Sequence, residues 1–137
     1  MFKVVFWIAV FFIFCNSRAA ERKIYRDGTG RIAGTSSTSG NRTVYRDASG
    51  RISGSATTIG NRTVYRDAAG RIAGTSSTSG NRTVYRDASG RISGSATTVG
   101  NRTTYRNGQG QIKATGQKSR SQTVYRDSSG RIILRRQ

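Results

Sequence analysis

Beyond residue 15 the chain has no histidine, no cysteine and no tryptophan, and the whole 137-residue sequence holds only six acidic residues. Acid–base or nucleophilic catalysis needs groups that change protonation near neutral pH, or a held metal. Glu21 and five well-separated aspartates (Asp27, Asp47, Asp67, Asp87, Asp127) offer neither. The chain therefore reads as a non-enzyme with no cofactor and no metal. A calcium site needs several oxygen ligands together, and each aspartate here has arginines at hand that repel a cation. Glycine runs such as "GTG" and "GQG" lack the following helix that a phosphate loop requires. Long apolar runs are missing too, apart from Val4 to Cys15. That run is shorter than the ~20 residues a spanning helix needs.

What is present begins with that run. Lys3, the apolar stretch and the small residues Ser17 and Ala19 around Arg18 have the shape of a secretory signal peptide, residues 1–19, cleaved after Ala19. A lipoprotein linkage through Cys15 would want a small residue before it, and Phe14 stands there. Cleavage removes the only cysteine, so an exported chain of about 118 residues must be stable without disulfides, with no transmembrane segment remaining. Lys3 and Arg18 leave with the signal, lowering the formal charge from +18 to +16. Nearly all the remaining cations are arginines. Their planar forks bind phosphate, sulfate and carboxylate bidentately, where lysine acts as a point charge.

From Glu21 onward the sequence repeats every twenty residues. Tyrosine recurs at 25, 45, 65, 85, 105 and 125, isoleucine at 32, 52, 72, 92, 112 and 132, and glycine at 30, 50, 70, 90, 110 and 130. Five units fill residues 21–120, and a truncated sixth with a basic C-terminal cap, "RIILRRQ", fills 121–137. A 40-residue layer overlies this, because residues 41–58 and 81–98 are identical. Such an array implies additive function along stacked units and tolerance to changes in copy number.

Within a unit, "RTVYRD" is rich in β-branched and aromatic residues, "ASG" is turn chemistry, "RISGSATT" is extended again, and Gly60-Asn61 offers a tight reversal. The fold class is all-β: six β-hairpin repeats in a β-meander or β-solenoid. A three-residue loop ending in a left-handed glycine sets Asp47 against Arg51, Arg46 against Ile52 and Tyr45 against Ser53. Val44, Arg46 and Ile52 then share one face and Tyr45 the other. A two- or four-residue loop would oppose Arg46 and Arg51, a like-charge pair. The aspartate before the loop can accept its N–H groups. The three large apolar residues of one unit cannot offset the entropy of ordering twenty, so stacking must contribute the rest, and a partly disordered array is the competing expectation.

The segment "YRDASGRI" resembles the YD repeat of Rhs and teneurin proteins through Asp47, Gly50, Arg51 and Ile52, with Tyr45 one place earlier than that pattern. The resemblance implies β-sheet repeats on exported proteins. A weaker likeness is to choline-binding cell-wall hairpins, through Val44, Tyr45, Asp47, Gly50 and Ile52, without the tryptophans of their cation cage. The bacterial source these suggest would leave the four "NRT" sequons without meaning.

One Tyr-Arg dyad per unit is the chemistry left: Tyr25, Tyr45, Tyr65, Tyr85, Tyr105, Tyr125 with Arg26, Arg46, Arg66, Arg86, Arg106, Arg126. Aligned in rows, these predict a polyanion-binding surface, for an anionic polysaccharide, lipopolysaccharide or extracellular nucleic acid in the periplasm, at the cell surface or outside the cell. The competing expectations are tyrosines packed between units with arginines guarding sheet edges, and a self-assembling adhesive or amyloid-like protein.

Overall fold

The computed structural model describes residues 21–137, so the signal-peptide reading lies outside the described residues. The hairpins are β1 (Glu21–Asp27) with β2 (Ile32–Ser39), β3 (Arg42–Asp47) with β4 (Ile52–Ile59), and β5 (Arg62–Asp67) with β6 (Ile72–Ser79). They continue as β7 (Arg82–Asp87) with β8 (Ile92–Val99), β9 (Arg102–Asn107) with β10 (Ile112–Lys118), and β11 (Thr123–Asp127) with β12 (Ile132–Arg136). Every strand pairs antiparallel with its sequence neighbours, and β12 returns to pair with β1. The result is an up-and-down meander closed into a twelve-stranded barrel.

Two turns make this geometry. At the hairpin end Asp47 N donates to Arg51 O (2.9 Å) and Gly50 N to Asp47 O (3.0 Å), with Gly50 at φ +80°. This is the expected three-residue loop, and the conformation is one a Cβ disfavours. Arg46 pairs with Ile52 as the loop length requires, but a β-bulge follows and Tyr45 pairs with Gly54, not with Ser53. The extra residue sets a position without a side chain directly opposite the tyrosine ring. A Cβ on Gly54 would lie 2.5 Å from Arg66 O, so the bulge also brings the next strand close. At the opposite end two-residue Gly-Asn turns, such as Gly60-Asn61, join one hairpin to the next, pairing Ile59 with Arg62.

Side chains on the inner face fill the barrel. About eight strands leave an interior that ordinary side chains fill; twelve leave a wider one. Here all six tyrosines point inward and are buried, 2–7% exposed. In the middle units each ring lies between glycine or alanine on one side and Ser or Ala on the other, as Tyr45 does between Gly54 and Ser36, while at the seam Tyr25 faces Arg136 and Tyr125 faces Leu134. Alternate units supply serine: Tyr65 Oη shares a hydrogen bond with Ser76 Oγ (2.8 Å) and Tyr25 Oη with Ser36 Oγ (3.2 Å), while Ala56 and Ala96 hold the equivalent place in the second and fourth units. The 40-residue layer of the sequence is this alternation. Towards the Gly-Asn end, inward threonines bond in cross-strand pairs, Thr58 Oγ1 to Thr63 Oγ1 at 2.9 Å among them.

Closure corrects two expectations. A closed ring fixes the number of hairpins, so copy number is not free to vary as in an open array. The terminal strand β12 is not an end cap: Arg136, Arg135 and Leu134 pair with Tyr25, Arg26 and Asp27 to seal the barrel. Leu134, 1% exposed, stands where the first four units have glycine and fills the core beside this seam.

Candidate anion-binding rim

Arg46 and Val44 point outward on β3 because Tyr45 between them points in, the alternation of any strand with one buried face. Ile52 lies across from Arg46 on the same outer surface. The pairing recurs as Arg26–Ile32, Arg66–Ile72, Arg86–Ile92, Arg106–Ile112 and Arg126–Ile132. The hairpin end of the barrel therefore carries an outer belt in which arginine and isoleucine alternate. Five of these isoleucines, Ile32, Ile52, Ile72, Ile92 and Ile112, are about half exposed.

Each belt arginine is held in one pose. Arg46 Nη1 donates to Gly50 O at 3.0 Å, and Arg26, Arg66, Arg86, Arg106 and Arg126 repeat the bond to the loop glycine four residues on, at 2.9–3.0 Å. That uses one of five N–H donors and leaves the fork facing solvent. None of the six forms an ion pair among the described residues. The nearby carboxylates are engaged elsewhere: Asp47 Oδ1 accepts from Ser49 N (2.9 Å) and Arg51 N (2.9 Å) of its own loop. In the first and last hairpins a loop hydroxyl adds to this. Thr29 Oγ1 donates to Asp27 and Ser129 Oγ to Asp127, and with the loop amides they hold both carboxyls below the usual aspartate range.

Arg31, Arg51, Arg71, Arg91 and Arg131, in the loops themselves, are exposed at the same end. Eleven guanidinium groups thus crowd one rim with five aspartates. In the fifth hairpin both charges are absent, yet the turn is kept: Asn107 Oδ1 accepts from Gln109 N (3.1 Å) and Gln111 N (2.9 Å). The aspartate's structural task is accordingly to accept hydrogen bonds, not to carry charge.

The dyads of the sequence are divided by the sheet. Arginines are outside and tyrosines inside, so Tyr25, Tyr45, Tyr65, Tyr85, Tyr105 and Tyr125 are withdrawn as ligand-binding residues; a ring under 8% exposed cannot stack on a sugar or base lying along the outer surface. Adjacent residues on a strand face opposite ways, which is why the pair cannot act together. The isoleucines of the belt were missed as surface residues. Their shared face with Arg46 was the available signal.

The described residues include no helix long and apolar enough to cross a membrane. No protein family and no curated protein matches the sequence. The fold is similar to the X-ray structure of a protein from Arabidopsis thaliana, with a TM-score of 0.61 and 10% identity, covering 87% of this chain and 82% of that one. At that identity the likeness concerns the fold alone. A structure of accessory secretory proteins 1, 2 and 3 of Streptococcus pneumoniae matches at a TM-score of 0.29 and 11% identity, over 74% of this chain and 19% of that one, which carries no argument.

Proposed function

We propose that this chain is an exported, non-enzymatic β-repeat barrel that binds an anionic polymer, a polysaccharide, lipopolysaccharide or extracellular nucleic acid, through the arginines of its hairpin rim. The observation that carries this reading is the pose of the belt arginines: all but the half-buried Arg26 exposed, oriented by the loop glycine carbonyl, and without ion pairs among the described residues. Like charges gathered at one end of the barrel repel one another, and a polyanion wrapped on the rim would relieve that repulsion. The ligand path is a ring, not the straight row an open array would present. The apolar run before Arg18 and the likeness of "YRDASGRI" to exported YD repeats support secretion, to the periplasm, the cell surface or beyond.

The outer surface fits water better than lipid. Strands of five to eight residues fall short of the ~9–11 a membrane barrel uses, and Arg42, Arg46, Ser55 and Thr57 interrupt any apolar band. Amyloid-like stacking is disfavoured because the closed sheet offers no free edge.

The test is salt-dependent binding of duplex DNA as a generic polyanion. Log affinity should fall linearly with log salt, and R46Q/R66Q/R86Q should flatten the slope by roughly 2 to 3 while keeping the melting temperature. Binding indifferent to salt, or lost only as the variant unfolds, would overturn the proposal.

A further inference from the structure

The end of the barrel away from the hairpin rim holds a cavity of about 590 Å³, within the size range of small-molecule sites. Tyr105 and Tyr125, rings tilted at 43° with centroids 6.1 Å apart, lie among its walls. The repeat makes its other walls informative, because each position has a standard residue against which this corner can be compared.

Among the positions lining the cavity, four depart from the standard to a cation, while Glu21 and Ser121 replace the usual asparagine and Gln122 the usual arginine. Lys23 on β1 takes the inward place held by Thr43, Thr63, Thr83, Thr103 and Thr123. Lys118 on β10 takes that of Thr38, Thr58, Thr78 and Thr98. Arg136 on β12 replaces Ser36, Ala56, Ser76 and Ala96, and Arg120 replaces the glycine of the two-residue turn. They are scattered over more than a hundred residues of sequence, and closure of the barrel gathers them: Arg136 pairs with Tyr25 across the seam and with Thr123, which itself pairs with Lys118. In the same corner Gly116 replaces the usual Ser or Ala, and a Cβ there would come within 3.1 Å of the Tyr125 ring.

Arg22 adds a further cation, and Glu21, paired with Lys23 at 3.1 Å, is the acid among them. Arg136 Nη2 donates to Thr123 Oγ1 at 3.2 Å. Burial raises the Tyr125 hydroxyl above its ordinary value, and the Arg136 charge partly offsets that rise.

We infer that this cavity is a second binding site, separate from the rim, for a phosphate or sulfate group carried on a sugar-sized body. Several cations against one acid supply the charge, guanidinium forks supply bidentate geometry, and the cavity volume leaves room for a sugar-sized body beside the anion. Whether the group arrives on a free sugar phosphate or at a polymer end, the contacts are the same.

Calorimetric titration of the full chain with inorganic phosphate, with a hexose phosphate and with dextran sulfate tests this. Both small ligands should bind with one-to-one stoichiometry, the hexose phosphate more tightly. K23T/K118T, which restores the residues other hairpins already use, should weaken both at least about tenfold, whereas R46Q/R66Q/R86Q should leave them unchanged. Hexose phosphate that stays bound when excess dextran sulfate is added points to a free small ligand; its displacement from the cavity points to a polymer end. Amide shifts of Thr103 and Thr123 on adding phosphate to the unaltered protein give a readout independent of how any variant folds. No phosphate binding at low ionic strength, equal affinity in K23T/K118T, or shifts confined to the hairpin loops would each overturn the inference.

Discussion

At the scale of the residue, tyrosine is the barrel's filler, and its hydroxyl makes that filling sensitive to alkali. Burial raises the ionisation of Tyr65, Tyr85, Tyr105 and Tyr125, Tyr85 well above its ordinary value, where the charges of ionised neighbouring tyrosines would add to the effect. A folded-state value above the unfolded one means full stability below the unfolded value of about 10 and progressive loss as pH rises above it. We expect the barrel to keep its stability up to about pH 10 and then to lose it steeply, with these tyrosines ionising together as the sheet melts. Tyrosine absorbance and β circular dichroism followed over the same alkaline titration should change in step. Independent ionisation of most tyrosines with the sheet intact would contradict their placement. The tyrosines' periodicity was legible in the sequence and their facing was half legible: alternation sets Tyr45 opposite in sense to Arg46, but only closure decides which face is inside.

At the scale of the element, the hairpin was the most readable part. Loop length, the left-handed glycine and the Arg46–Ile52 pairing all follow from "YRDASGRI", since each is local turn chemistry. The bulge after that pair was not readable, because it depends on the ring of Tyr45 needing Gly54 opposite, a contact made only inside the barrel. Asn107 shows what the loop asks of the aspartate, namely an acceptor oxygen. Asp67→Asn should therefore change the denaturant midpoint little, while Asp67→Ala should cost about 1 kcal/mol by leaving the Arg71 amide without its acceptor. Urea unfolding of the two variants side by side decides it; equal losses would mean that charge, not the acceptor, holds the turn.

At the scale of the whole molecule, the ring is what the sequence conceals. Nothing in any one repeat states that the sixth must meet the first, because the pairing of Arg136 with Tyr25 joins residues more than a hundred apart. The candidate cavity was hidden for the same reason: Lys23, Lys118 and Arg136 read as unrelated irregularities until the seam brings them to one corner. Deleting residues 61–100 keeps every local pattern and removes two hairpins. An eight-stranded ring needs a different strand tilt and stagger from those that bring β12 to β1 here, so the shortened chain should lose its cooperative thermal transition. A sharp transition near that of the parent would show that the hairpins stack without needing closure. Near-identity between hairpins bears finally on how the chain finds this state. Residues 41–58 and 81–98 are the same string, so while folding, β5 meets β4 and β8 as partners of almost equal quality, and pairing out of phase by forty residues gives ladders as good as the native ones. What separates the true arrangement from its frame-shifted rivals is completion. Only in phase do the cations and Leu134 of the last strand reach the first, so the irregular ends act as the alignment mark of an otherwise ambiguous text, and errors of phase persist until that mark is tested.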